Sequence, residues 1–316
     1  MNVPKNVHAW EIEGYGKVDL YLRDLIRKKL IEKYGSLHKA EIALKLSDYY
    51  HRKLHQTFRR KDILFRLVDE AEINKNEAEE HIQEWIDTKP HKPYFIQFPI
   101  EINPIIIRII SHIIGDGTLG SNFTWTQKDV TPLENLEKRV LGRSSKNQKK
   151  VITIPRILIK AVCKSLNLEL TSLTKEKLIE RLVLLPKEYQ IQVLTALIED
   201  EGTIDKNRIT IRMTEKKIME CIVKLIDALG YSRSNLTEQV YNYHQEKRKI
   251  FKIDLNLEGI KKYCQDIEET ETKYGLELGL WTKRDKVKEL SMHKSNLHGW
   301  RRDKNIAIKI LELVIA

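Results

Sequence analysis

The sequence predicts an α+β protein: a small all-α domain followed by two copies of one mixed supersecondary unit. Three observations predict it. An apolar helical run ending in acid-Gly-Thr occurs twice, 85 residues apart. Short β-branched runs follow the copies, at 122–126 and 151–154 after the first, and at 209–213 and 250–255 after the second. Upstream of residue 89, apolar residues instead recur at helical spacing.

Within an N-terminal domain spanning 1–88, residues 15–88 predict helices. Over 18–34, Leu20, Leu22, Leu25, Ile26, Leu30 and Ile31 line a helical face, and Gly35 stops it. Two shorter helices follow, at 39–46 and 50–60, divided by the N-capping pair Ser47-Asp48. Stretches 64–72 and 76–86 continue in the same style. The second helix of the short pair carries His51, Arg52, Lys53, Gln56, Arg59 and Arg60, so the pair resembles a helix-turn-helix. A helical bundle with a solvated basic face accounts for it equally well. Lys89-Pro90-His91-Lys92-Pro93 breaks the helical period and marks a linker at 89–99. The repeats then occupy 100–190 and 191–285, and a basic helical extension fills 286–316.

Composition narrows the class. The chain has 316 residues, 41% of them hydrophobic, enough for a folded core throughout. With 56 Lys and Arg against 45 Asp and Glu, the net charge is +11, which favours a polyanionic partner. Cys163, Cys221 and Cys264 are widely spaced and odd in number, which argues against a disulfide framework or a cysteine-ligated zinc. The most apolar stretch, 104–114, contains Arg108 and His112 and is too short to span a bilayer. No signal peptide is evident, and a cytoplasmic, membrane-free protein is expected.

The repeat carries the chemistry. IISHIIGDGTL, from residue 109, aligns with LTALIEDEGTI, from residue 194, and Pro104 and Pro186 lie upstream where helices start. Asp116 and Glu201 therefore sit at helix C-termini, where the dipole disfavours a carboxylate by ~0.3–1 kcal/mol. An unfavoured charge at both equivalent places points to a task, and Mg²⁺ or another divalent cation is what paired carboxylates hold. Two such helices packed side by side need small residues at their contact, and Ser111 and Ala196 stand five residues before each acid. An ordinary packed pair with acid-Gly caps is the competing reading.

These motifs resemble those of a single-chain, two-motif LAGLIDADG homing endonuclease, over residues 100–285 or thereabouts. The resemblance implies two pseudo-twofold αββαββα repeats forming a saddle, with the sheets in the DNA major groove and the final acid of each motif on the metal. Those roles would fall on Asp116 and Glu201. In the family a polar residue near the end of the strand that follows each motif, often Gln, helps organise active-site water. Gln127 fits that role, and Glu215 fits it less well. Lys175 and Lys283 resemble the lysine that completes the centre, although for both a plain surface charge explains the residue as well.

Residues 138–160 hold eight Lys or Arg and no Asp or Glu, a pattern expected of a phosphate-tracking surface. Arg143, Lys146, Lys149 and Lys150 are its candidates, joined by Arg208, Arg212, Lys249 and Lys252 in the second repeat and by Arg52, Arg59 and Arg60 upstream. The leading expectation is a site-specific, divalent-metal-dependent endonuclease on double-stranded DNA. A non-cleaving transcription regulator and a nuclease of structured RNA stand as alternatives. Both repeats lie in one chain, so a monomer is expected, and the termini lack splicing residues, so a free-standing protein is expected rather than an intein.

Overall fold

The computed structural model describes residues 5–46, 59–87, 93–120, 123–144, 146–148, 150–205, 207–243, 246–276, 278–281 and 287. Among these the chain is α+β, with eleven α-helices and three antiparallel sheets.

The first region contains β1 (Tyr15–Val18), α1 (Leu20–Tyr34), α2 (Leu37–Ala43), β2 (Arg59–Arg60), α3 (Lys61–Glu70), α4 (Lys75–Glu80) and β3 (Ile82–Ile86). It is not all-α as expected: a three-stranded sheet, in the order β2-β1-β3, sits among its helices. Ile82, Trp85 and Ile86 are spaced i, i+3, i+4, which suits a helix, and all three are buried. Over five residues that spacing does not exclude a strand, and β3 pairs with β1 on one edge and bridges Tyr94 through Trp85 on the other. The second helix of the expected helix-turn-helix, including Arg52, lies outside the described residues apart from Arg59 and Arg60. Those two form strand β2 and so do not sit on a recognition helix.

The described part of the linker is also packed. Trp85 and Tyr94 exchange backbone hydrogen bonds of 2.9 and 2.8 Å, Phe95 N–H donates to Leu141 O at 3.1 Å, and Ile96 and Phe98 are buried. Lys160 joins the first region to the repeats by donating to Glu13 O at 2.9 Å and pairing with Asp87.

The first repeat runs α5 (Pro104–Ser111), β4 (Gly117–Thr118), β5 (Thr124–Thr126), α6 (Thr131–Leu141), β6 (Lys146–Gln148), β7 (Val151–Thr153) and α7 (Arg156–Ser165), followed by α8 (Lys175–Leu182). The second runs α9 (Lys187–Glu201), β8 (Gly202–Asp205), β9 (Arg208–Met213), α10 (Lys216–Leu229), β10 (Thr237–Tyr243), β11 (Glu246–Leu255) and α11 (Leu257–Tyr274). Both follow the order αββαββα. Their sheets read β4-β5-β7-β6 and β8-β9-β11-β10, so each places its first, second, fourth and third strands side by side. The register repeats as well. Gly117 faces Trp125 as Gly202 faces Ile211, and Thr126 faces Val151 as Arg212 faces Lys252.

The motif helices form the centre of this arrangement. Asn103 caps α5 by accepting from Ile106 N–H at 3.1 Å, and Pro104 fills its first turn, where no donor is needed. Every residue of α5 is buried, and α9 is buried continuously from Tyr189 to Glu199, so each helix is covered all round. Burying an isoleucine such as Ile107 or Ile110 contributes about 1.5–3 kcal/mol relative to exposure. On the sheets, strand alternation turns Trp125, Ile152, Ile211 and Ile253 inward to this core. Among the described residues no helix is long and apolar enough to cross a membrane.

Candidate active site

The two motif acids come together where α5 and α9 end, but the endings differ. Glu201 is the last residue of α9, whereas α5 stops at Ser111 and its final turn tightens. There Ile113 and Ile114 N–H donate to Ile110 and Ser111 O at 3.0 Å each, and Asp116 sits exposed at the end of that turn. The glycines that follow are equivalent. A Cβ on Gly117 would lie 2.4 Å from Ile113 Cα, and one on Gly202 would lie 2.4 Å from Ile198 O. Each strand thus folds back against the last turn of its motif.

Glu201 is half-buried and its carboxyl is pushed up to about 7. Burial is the largest cause, the Asp116 charge comes next, and Asp200 adds to both. Lys175 opposes the shift. Its helix α8 delivers the ammonium to the motif, where Nζ donates to Gly115 O at 2.8 Å. Gln127, immediately after β5, donates Nε2 to Asp116 Oδ2. Glu215, after the equivalent strand β9, also raises the Glu201 carboxyl and is therefore a second polar group around the centre. Lys283 lies outside the described residues.

Ser111 and Ala196 are fully buried, with Ser111 Oγ donating to Ile107 O at 2.7 Å. The close approach lies one turn further on, at Gly115, where an added Cβ would meet Asp200 at 2.5 Å. Asp200 is the residue that sequence reasoning missed. It accepts from Trp125 Nε1 at 2.9 Å, and His112 Nδ1 lies 3.0 Å from both of its oxygens, so the second motif is tied to two elements of the first repeat. Burial is the chief cause that lowers the His112 imidazole below its ordinary value, with Asp200 opposing it. Behind it, the buried Arg108 stacks over Trp281 at 4.4 Å, and Trp281 N–H donates to Glu199 Oε2 at 3.0 Å. The sequence signals for this layer are Arg108 and His112 within the apolar 104–114 stretch and the three consecutive acids Glu199-Asp200-Glu201 that close α9.

The basic candidates divide by strand face. Directly paired residues share a face, so Arg212, Lys252 and Thr210 line the outer side of the second sheet with Asp254, and Arg208 joins them. Arg208 lies 3.6 Å from Asp254 and Lys252 lies 3.2 Å from it. Lys249 alternates to the other face and pairs with Glu238 at 2.7 Å, so it does not belong to this set. Arg248 takes its place on the outer face. The equivalent face of the first sheet is neutral: Thr118, Thr124, Thr126, Val151 and Thr153. Much of the 138–160 run is used internally. Arg143 stacks on Tyr94 at 4.6 Å, Lys138 pairs with Glu134 at 2.8 Å, and Arg156 and Lys160 approach Asp87. Lys150 is exposed, and Lys146 belongs to strand β6. Lys149 lies outside the described residues.

No family model matches the chain, and no curated protein matches it. Among solved structures, it is similar to mesophilic variants of the homing endonuclease I-DmoI, at 13% identity over 59% of this chain and 97% of that one, with a TM-score of 0.36. A structure of I-DmoI in complex with DNA and Mn is similar at 15% identity, covering 52% and 94%, with a TM-score of 0.34. Full-length DUF199/WhiA from Thermatoga maritima is similar at 11% identity, covering 67% and 66%, with a TM-score of 0.36.

Proposed function

We propose that the chain is a divalent-cation-dependent endonuclease that hydrolyses phosphodiester bonds in double-stranded DNA, acting as a monomer whose two repeats supply the twofold. The observation that carries this reading is the Asp116–Glu201 pair, in which one carboxylate disfavours ionisation of the other at the meeting point of two equivalent helices.

The donor set fits a hard cation. Asp116, Glu201 and the nearby Asp200 concentrate negative charge that Lys175 opposes, and a cation held there would relieve that repulsion. Among the described residues no group of three or more His, Cys, Asp and Glu forms a protein cage for a metal. Two carboxylates with water and phosphate oxygens are the set that Mg²⁺ accepts. Bound there, the ion supplies Lewis-acid polarisation of a phosphoryl oxygen and a lowered pKa for bound water.

The protein's own groups have separable tasks. Gln127 fixes the orientation of the Asp116 carboxylate. Lys175, anchored on Gly115 O, places a positive charge where a phosphate would meet the acids. Glu201, with its carboxyl pushed up to about 7, would hold the cation together with Asp116 in its deprotonated form. On the outer faces, Arg208, Arg212 and Lys252 provide phosphate contacts, and threonine hydroxyls face base edges.

The test is selection from a randomised duplex library with Mg²⁺ or with EDTA, followed by sequencing of the retained and the cut molecules. Mg²⁺-dependent cuts at one enriched sequence support the reading. Enrichment without cuts makes the protein a binding regulator, and enrichment from structured RNA alone moves the substrate to RNA.

A further inference from the structure

The first region separates its charges. Between residues 15 and 46 it carries eight Lys or Arg and four Asp or Glu, and between 61 and 87 it carries three and nine. Many of the acids are engaged away from the basic side. Asp62 pairs with Arg60 at 2.9 Å, Asp69 with Lys75 at 2.9 Å and Glu70 with Lys33 at 3.0 Å. Asp87, Glu11 and the Glu13 carbonyl hold the region on α7, whose Arg156, Lys160 and Lys164 stand one turn apart. The acidic side thus docks on the first repeat, and the basic side is left to α1 and β2.

Three arginines converge there. Arg59 of β2 pairs directly with Gly16 of β1, so the two share a face of the sheet. That face is the inner one, since a Cβ on Gly16 would lie 3.2 Å from both Leu64 and Trp85. Arg60 alternates to the other face and donates to Asp62 at 3.0 and 2.9 Å. Arg23 and Arg27 stand one turn apart on α1, each directly after a residue of its buried stripe, Leu22 and Ile26. All three arginines are half-buried. The Arg59 guanidinium is pushed down to about 10, by burial first and then by the charges of Arg23 and Arg27, with the buried Glu41 of α2 opposing. Arg23 also reaches the exposed Asp24 at 3.3 Å, a contact that water screens. Arg27 has no carboxylate partner among the described residues. Like charges one turn apart on a helix are destabilising by themselves, and a third guanidinium adds to the repulsion.

We propose that Arg23, Arg27 and Arg59 form an anion site for backbone phosphates of duplex DNA, through which the first region holds the duplex outside the two repeats. Guanidinium forks meet phosphate oxygens two at a time, which suits arginine rather than lysine to a half-buried phosphate site. A phosphate placed between α1 and β2 turns the mutual repulsion into shared attraction, as a cation does for paired carboxylates. No helix in a groove and no base contact is needed, so the site adds affinity and register without reading sequence. Because the region is anchored on α7, the DNA it holds flanks the first repeat. The proposal rests on the reading of the chain as a DNA-binding protein and not on cutting.

The experiment compares full-length wild type with Arg23→Gln/Arg27→Gln and with a control, Lys28→Gln/Lys29→Gln, which removes the same charge from α1 outside the cluster. Binding to the duplex recovered by selection is followed against salt. Melting is followed in sodium phosphate and in sodium chloride at equal ionic strength. The arginine variant is expected to lose about two phosphate contacts from the slope of log affinity against log salt, ~0.9 each in B-DNA, and the lysine variant less. Phosphate should raise the melting temperature of wild type above its value in chloride, and should not do so for the arginine variant. Equal slopes in the two variants overturn the proposal even where cutting is seen. A phosphate effect on melting with an unchanged slope also overturns it, and gives the site to a free phosphate compound. An arginine variant that melts well below wild type in chloride overturns it too, because removing charges that only repel one another does not unfold a protein. Binding without cutting, with the slope lost in the arginine variant, keeps the proposal and removes the nuclease reading.

Discussion

Gly115 and Asp200 hold equivalent places in the two motifs and meet each other across the helix pair, so closely that a Cβ on Gly115 would stand 2.5 Å from Asp200. A twofold arrangement cannot put two aspartates there. The first repeat supplies the space, and the second supplies the acceptor for His112 and Trp125. Gly115→Ala is expected to force the helices apart and to cost about 1–3 kcal/mol in urea unfolding. An unchanged midpoint would mean that the helices do not cross at this residue.

Asp200→Ala removes the acceptor and leaves the indole N–H of Trp125 buried without a partner. The expected loss is about 1–3 kcal/mol, with a change in tryptophan fluorescence. Trp125→Phe deletes the donor instead and should cost less than Asp200→Ala. Equal or reversed costs would show that the bond does not hold the two repeats together.

Glu201 makes stability depend on pH in a defined direction. Its folded pKa, about 7, lies above its ordinary value of 4.5, so the folded state binds more protons between those values. Stability should therefore fall as pH rises from about 4.5 through about 7. In Glu201→Gln this part of the loss disappears. The variant is expected to melt higher than wild type at pH 8, by on the order of 1 kcal/mol once solvent screening is allowed for, with the advantage shrinking toward pH 5. Mg²⁺ should narrow the gap at pH 8 by stabilising the wild type. A constant difference across this pH range would contradict the coupling of the acids.

The face assignment predicts salt dependence. Arg212→Ala, on the outer sheet face, should lower the slope of log affinity against log salt by about one phosphate contact, ~0.9 in B-DNA. Lys249→Ala, on the opposite face and paired with Glu238, should change that slope less. The reverse ranking would place the DNA on the other side of the sheet.

Much of the centre was legible in the chain. The acid-Gly-Thr repeat pointed to Asp116 and Glu201 because a charge unfavourable at a helix end appears twice, whereas Gln127 and Lys175 came only from the resemblance to the LAGLIDADG family. The β-branched runs located β5, β7, β9 and β11. Strands β4 and β8 do not stand out in the sequence, since two and four residues opening on a glycine are too short to show a period. The sheet of the first region was hidden for the opposite reason: Ile82, Trp85 and Ile86 satisfy a helical period while lying in a strand. Lys249 was grouped with Lys252 by charge, although an odd separation along a strand puts them on opposite faces. The layer formed by Arg108, His112, Asp200 and Trp281 joins residues up to 173 positions apart. Its partners are fixed by the packing of the repeats, which no local pattern encodes.

The most direct measurement of the central claim is to compare wild type, Asp116→Asn and Glu201→Gln on the duplex recovered by selection, following Mg²⁺-dependent cutting and binding in parallel. The predicted result is that both variants remain folded, retain binding to the same duplex and lose cutting. Cutting that survives in both variants would contradict the assignment of these acids to the active site. Loss of the fold in both would give them a packing role instead.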